Sequence, residues 1–408
     1  MTSTTAPGTT AFTATETKTP ATAGLPLAGV RVLDLTGFLS GPFGSQILGD
    51  LGAEVLKIEP PAGDNSRSVP PHFVGDTSVY YLSTNRNKKS AVIDLKDPDG
   101  QQIVKGLMAK SDIVIENFRP GALERLGLDY ETAAAVDPSI IWCSISGFGQ
   151  DGPYAHRPAY DMIVQAYSGG MSLTGERGGP PVRAGLPIGD LTAGLYGVIA
   201  VLAALNKRAQ TGLGDYIDIS MLDCQLAFLS YQGAYYLHSG KVPGTQGRSH
   251  DSIPTYRCFR AGDGIEVAVT ANTQRMWEAL CHVLGLSELI GDNRFLTLAD
   301  RHRNRTELEP LLEEAFLARG ADKWVALLTD AGVPVAPVNT VDRALADTQA
   351  RHRNMVVELQ DTSDGESVRV VGNPLKFRSM ASQLLNYPPK LGEHTEEIIE
   401  LSGVTDGE

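Results

Sequence analysis

Residues 30–59 read VRVLDLTGFLSGPFGSQILGDLGAEVLKIE. Two apolar runs, VRVLDLT (30–36) and EVLKIE (54–59), bracket FGSQILGDLGA (43–53), which reads as a helix. The same alternation continues downstream. SAVIDLK (90–96) is a strand, GQQIVKGLMAKS (100–111) a helix and DIVIENF (112–118) a strand. GALERLG (121–127) and YETAAAVD (130–137) are short helices before the strand IIWCSIS (140–146). Strands this apolar need cover on both faces, and a helix after each one supplies it. The pattern predicts an α/β fold with a large, doubly wound, Rossmann-like domain over 25–225. Ligands are then expected beyond the C-terminal ends of its strands. From about residue 226 the texture changes. Aromatic residues increase, one strand stands at GIEVAVT (264–270), and helices such as DKWVALLTDAG (322–332) follow. This predicts a smaller α+β domain at 226–330. A C-terminal segment, 331–408, is expected to return to the large domain through APVNT (336–340), SVRVVG (367–372) and a closing helix.

The chain has 408 residues, 42% hydrophobic and 20% charged, as in ordinary globular proteins. A net charge of −13 argues against nucleic acid or an anionic membrane as the main partner. It leaves room for an anionic small ligand, which needs only a local cluster of Lys and Arg. Residues 1–24 are rich in Thr and Ala and nearly free of large apolar side chains, so they are expected to form a disordered tail. They lack the apolar stretch of a secretory signal and the arginines of a mitochondrial transit peptide. No window reaches the ~18 unbroken apolar residues of a membrane span. The nearest, AGLYGVIAVLAAL (193–205), is expected to be a buried core helix. Cys143, Cys224, Cys258 and Cys281 are scattered without a C-x-x-C pair. That suits buried thiols in a reducing cytoplasm, not a zinc site or a disulfide framework.

Directly after IIWCSIS comes GFGQDGPYAHRPAYD (147–161), with Gly147, Gly149 and Gly152 spelling G-x-G-x-x-G. A dinucleotide-binding turn needs a helix to start at the third glycine. Pro153 and Pro158 bias their predecessors away from helix. The stretch therefore reads as a tight loop at a strand end, which still places Tyr160 and Asp161 near the ligand side of the sheet. Downstream, LPIGDLTAG (186–194) sets Asp190 just before a long apolar helix. Such an Asp is commonly an N-cap. It is also a plausible nucleophile, because free N–H groups and the helix dipole stabilise anions there.

Ten segments in order resemble the family III CoA-transferases, which include formyl-CoA:oxalate and carnitine CoA-transferases and have the α-methylacyl-CoA racemases as relatives. They are PLAGVRVLDLTGFLSGP (26–42), LGAEVLKIEPPAGDNSR (51–67), NRNKKSAVIDLK (85–96), ENFRPGALERLGLDY (116–130), SGFGQDGPY (146–154), AYDMIVQAYSGG (159–170), GDLTAG (189–194), AQTGLGDYIDISMLD (209–223), APVNT (336–340) and LGEHT (391–395). The resemblance implies a CoA-transferase with Asp190 as nucleophile. Asp190 would attack an acyl-CoA thioester, pass through a mixed anhydride and an aspartyl-CoA thioester, and hand CoA to a carboxylic acid acceptor. The acyl-CoA is a substrate; no permanently bound cofactor or metal is expected. The resemblance also implies an interlocked homodimer.

Family positions for CoA carry over to Ile93, Asp94, Leu95 and Lys96, to Asn117, Phe118 and Arg119, and to Arg125. Arg157 and Tyr160 line up with a CoA-contacting stretch near the thioester. Lys and Arg are the residue types that phosphates require. Some positions depart from the oxalate-type enzyme. Leu39 stands where that enzyme has Gln, Pro60 where it has Arg, and GTQGRSHDSIP (244–254) where it has four glycines. These departures argue against oxalate as substrate. The alternative is a racemase of the same fold. Racemases resemble G-H-D where this chain has Ala159-Tyr160-Asp161, and a tyrosine near its reference pKa of ~10 is a poor acid/base partner at neutral pH.

Overall fold

The computed structural model describes residues 24–363, 365–379 and 384–404, so the expected tail lies outside the described residues except for Gly24. Eight strands occupy the first half: β1 (Arg31–Asp34), β2 (Glu54–Glu59), the short pair β3 (Phe73–Val74) and β4 (Thr77–Ser78), β5 (Lys88–Val92), β6 (Ile113–Glu116), β7 (Ile141–Ser146) and β8 (Asp215–Ser220). Six of them form one parallel sheet in the order β5-β2-β1-β6-β7-β8. Between them run α1 (Ser40–Asp50), α2 (Val79–Leu82), α3 (Pro98–Met108), α4 (Tyr130–Val136), α5 (Asp161–Tyr167), α6 (Gly170–Leu173) and α7 (Ile188–Thr211). After the sheet come α8 (Met221–Phe228) and α9 (Ser230–Ser239).

Strand alternation divides the apolar residues between two cores. Val32, Val55, Ile113 and Ile141 face α1 and α7, where Leu48 and Val201 meet them. Their neighbours Leu33, Leu56, Val114 and Trp142 face the other way, onto Val104 and Leu107 of α3. Both faces are covered, which is why the apolar residues of these strands are buried on each side of the sheet.

A separate core is built on the antiparallel sheet β11-β10-β9, from β9 (Tyr256–Arg260), β10 (Glu266–Thr270) and β11 (Val335–Pro337). Phe259, Trp277, Phe316 and Trp324 fill it. Its third strand comes from beyond residue 330, inside the segment expected to leave the small domain, because Ala336 pairs with Ala268. The hairpin β12 (Val356–Gln360) and β13 (Ser367–Val371) packs on Tyr81 and Leu82. The helix Thr395–Ser402 returns to the large sheet: Thr395 accepts a hydrogen bond from Val92 N at 3.0 Å, and Ile398 joins the core under β5.

Two local expectations need correcting. Residues 121–127 form no α-helix, only a 3-10 turn at Glu124–Leu126, ended by Gly127 in the left-handed region. The run 193–205 is not wholly buried. It is part of the 24-residue α7, whose inner face (Ala193, Val198, Val201) is buried while Leu195 and Ile199 on the outer face are 43% and 61% exposed. A helix apolar all round signals burial on every side; here one side has no cover among the described residues.

Helices α1 and α7 touch backbone to backbone. A Cβ on Gly194 would lie 2.6 Å from the Ser40 carbonyl, and one on Gly44 would lie 3.1 Å from the Gly194 carbonyl. This close crossing sets the N-termini of the two helices side by side. Gly194→Ala should therefore cost about 1–3 kcal/mol through overpacking, even though alanine favours helix by about 1 kcal/mol. Urea unfolding measures it, and a stabilised variant would refute the close contact.

Candidate active site

From β1 the chain moves outward to β2 and β5; from β6 it moves the other way to β7 and β8. Where these directions part, the loops after β1 and β6 diverge and leave a crevice at the C-terminal strand ends. A cleft of about 240 Å³ occupies this point. Gly37 and Phe38 line it from one side, Asn117, Phe118 and Arg119 from the other, and Arg157, Tyr160 and Asp190 complete it. Asn117 stitches the two loops: its Oδ1 accepts from Gly37 N and its Nδ2 donates to Gly37 O, both at 2.9 Å.

Phe38 takes the left-handed backbone, φ 63°. For a residue with a Cβ this costs on the order of 1 kcal/mol, so the surroundings must hold it. Its N–H donates to Asp64 Oδ1 at 3.2 Å. The other Asp64 oxygen accepts from Lys57 Nζ at 2.8 Å, and Lys57 also donates to Thr36 O at 2.8 Å. Lys57 and Asp64 are almost wholly buried. Burial opposes both charges. The carboxylates Asp34, Asp64 and Glu59 nevertheless push the Lys57 ammonium above its usual range, and Lys57 pulls the Asp64 carboxyl below its own.

Asp190 lies in the first turn of α7, but Pro187 takes the N-cap position and no side chain caps the helix from there. The capping role considered from sequence is therefore not Asp190's. Asp161 fills it from the start of α5: its Oδ1 accepts from Gly189 N at 2.7 Å, while its Oδ2 accepts from Gln165 Nε2 at 2.7 Å. Residue 189 must be small, since a Cβ there would sit 2.9 Å from that oxygen. No described residue donates a hydrogen bond to the Asp190 carboxylate. Burial first, then the charge of Asp161, push the Asp190 carboxyl up to about 7. An ordinary carboxyl near 4 would be fully ionised at neutral pH; this one is half ionised there. The N-termini of α1 and α7 both open toward it and favour negative charge.

Three residues of this site went unread in the sequence. Asp161 was noted only as lying near the ligand side. Phe38 stacks edge-on against Tyr160, ring centroids 5.8 Å apart. Tyr80 of α2 is pushed up to about 12, by burial and then by the charge of Asp190, so its phenol keeps its proton at neutral pH. Nothing in VYYL marks it.

Of the residues expected to hold CoA, the fold gathers Asn117, Phe118, Arg119, Arg157 and Tyr160 in the cleft with Asp190. Ile93, Asp94, Leu95, Lys96 and Arg125 stand outside it. Ile93 is buried beneath the rim after β5, with Leu95 packed beside it. The Asp94 carboxylate accepts from Lys96 N at 2.9 Å. Arg125 lies along Gly121 in the turn after β6. Lys96, Arg119, Arg125 and Arg157 are exposed, and none pairs with a carboxylate among the described residues. Gly149 and Gly152 both adopt left-handed backbone, and no helix begins until Asp161. Among the described residues no group of His, Cys, Asp or Glu could hold a metal ion.

A model of CoA-transferase family III matches residues 27–395. The succinyl-CoA:glutarate CoA-transferase of Homo sapiens is 42% identical over 376 residues, which span 92% of this chain and 85% of that protein. The acetyl-CoA:oxalate CoA-transferase of Acetobacter aceti is 43% identical over 365 residues, 89% of this chain and 92% of that one. The crystal structure of a CAIB/BAIF family protein from Brucella suis superposes with a TM-score of 0.82 at 39% identity, covering 92% of this chain and 99% of that chain.

The electrostatics of the cleft can be read directly. With aspartate carboxyls labelled in ¹³C, the Asp190 resonance should titrate with a midpoint near 7. Asp161→Asn keeps an acceptor for Gly189 N but removes a like charge, so it should lower that midpoint. An unmoved midpoint would show that Asp161 is electrostatically silent.

Proposed function

The chain belongs to CoA-transferase family III, and from that premise we propose that it moves CoA from an acyl-CoA to a carboxylic acid through Asp190. The observation that carries this reading is a half-buried carboxylate with no hydrogen-bond donor on it, set in the switch-point cleft below two helix N-termini. One Asp190 oxygen attacks the thioester carbon, the C–S bond breaks, and CoA leaves as thiolate from a mixed anhydride. The thiolate then attacks the aspartyl carbonyl, releasing the donor acid and leaving CoA on Asp190 as a thioester. An acceptor carboxylate attacks that thioester and expels the thiolate, which takes the new acyl group from the anhydride and frees Asp190. Each step exchanges one anion for another, so no proton transfer is required; the helix ends would stabilise the charge as it moves.

Lys96 and Arg125 are proposed to meet the phosphates, with Ile93, Asp94 and Leu95 shaping the rim and Asn117, Phe118, Arg119, Arg157 and Tyr160 lying toward the thioester. The names of related proteins support succinyl-CoA as donor and a dicarboxylic acid as acceptor. The racemase alternative is not favoured: the relatives carry CoA-transferase names, and the position where racemases have histidine is Tyr160. The separate cores support a large domain near 25–225 and a small one that begins near 226. The four cysteines, all free thiols, fit a reducing cytoplasm. Exposed Leu195, Ile199, Leu226, Phe228 and Leu237 on α7, α8 and α9 support a homodimer that covers them. Sedimentation at the mass of one chain would refute the dimer.

Asp190→Asn and Asp190→Ala should both lose transfer by roughly 10³-fold or more while melting within about 1 kcal/mol of wild type. Wild-type protein mixed with acyl-CoA should carry an adduct on the peptide containing Asp190, which hydroxylamine converts to a hydroxamate. Full activity in Asp190→Asn would end this mechanism.

A further inference from the structure

Arg157 is held unlike any other cation of the rim. Its guanidinium lies 3.8 Å from the centroid of the Tyr154 ring, and its Nη1 donates to Tyr167 Oη at 2.8 Å. Tyr154, Tyr167 and Phe148 form a triangle of rings with centroids 5.4–5.7 Å apart. Stacking plus one hydrogen bond fixes a planar fork in place. The rest of that fork, the Nε and Nη2 edge, meets no acceptor among the described residues. Arginine edges held this way suit bidentate capture of a carboxylate or phosphate. Two anions could supply it: the far carboxylate of a dicarboxylic acyl group or acceptor, or a phosphate of CoA. Position separates them. Arg157 shares the cleft with Asp190, where the reacting carbonyl must sit. Lys96 and Arg125, suited to the phosphates, stand outside it.

Resting on the transferase reading of that cleft, we propose that Arg157, fixed on its aromatic triangle, binds the second carboxylate of a dicarboxylic substrate and so selects diacids over monoacids. The diacid gains a charged, bidentate contact that a monoacid of equal length cannot make. The monoacid also leaves the fork without a partner.

The test compares pentanedioate with pentanoate as acceptors, because kcat/KM for the acceptor in a double-displacement reaction does not depend on the donor. Wild type should favour the diacid. In Arg157→Gln the ratio of the two kcat/KM values should fall roughly 10- to 100-fold, the range of a hydrogen bond to a charged group. Arg157→Lys, with charge but no fork, should retain part of the preference, and thermal melts should show both variants folded. An unchanged ratio in Arg157→Gln would overturn the proposal, as would a wild type without preference for the diacid. So would an equal fall for both acids with a raised KM for the acyl-CoA, which would assign Arg157 to a phosphate. A wild type that passes CoA to no acid would instead refute the transferase reading, and this inference with it.

Discussion

A lysine ammonium buried without exposure governs the crossing point of the sheet. Lys57 reaches the carbonyl of Thr36 and the carboxylate of Asp64, and so ties the loop after β1 to the loop after β2. Through Asp64 it holds Phe38 in a backbone region that phenylalanine would otherwise leave. A second buried lysine works beside it: Lys88 donates to Asp34, to the carbonyl of Pro42 and to Asn85, and burial draws it down to about 8. Asp34 is shared further by Ser45 and Thr36. Each charge here has been stripped of water at a cost that only its partners offset. Apolar substitutes would be easier to bury, but they could not grip the carbonyls and N–H groups that set the mouth of the cleft.

The protein sorts its cations by position. Those beneath the crossing are matched one for one with carboxylates, and those on the rim are left unmatched. An overall negative chain can thus offer a local positive track to a polyanion, because fields decay within about 10 Å at moderate salt. Asp190 sits where the two regimes meet. Burial and the charge of Asp161 hold its proton near neutrality, while the helix end it stands on favours the ionised form.

Periodicity made the large sheet legible. VRVLDLT, EVLKIE and IIWCSIS became β1, β2 and β7 because their apolar runs can be satisfied only in the middle of a parallel sheet. At Asp190 local propensity favoured an N-cap, and it was the resemblance that assigned a nucleophile there. The cap came instead from Asp161, 28 residues upstream, and Pro187 took the capping position. The exposure of one side of α7 was hidden for a related reason: apolar side chains look the same whether core or partner covers them. The electrostatic link between Tyr80 and Asp190 joins residues far apart in the chain, which no local pattern encodes, and the aromatic seat of Arg157 is local but lies in an irregular loop with no periodicity to reveal it. The same holds for β11, whose short run gives no sign of the sheet it joins.

The closing helix has a consequence in time. β5 is the outermost strand of the large sheet, and its free side is met by Thr395, some 303 residues downstream. At synthesis rates of about 5–20 residues per second that edge waits roughly 15–60 s for its cover. Lys89, on the edge itself, later bridges Glu54 and Glu397. During the wait its charge discourages another nascent chain from adding a strand. The same side chain thus guards the half-made sheet and then fastens the finished one.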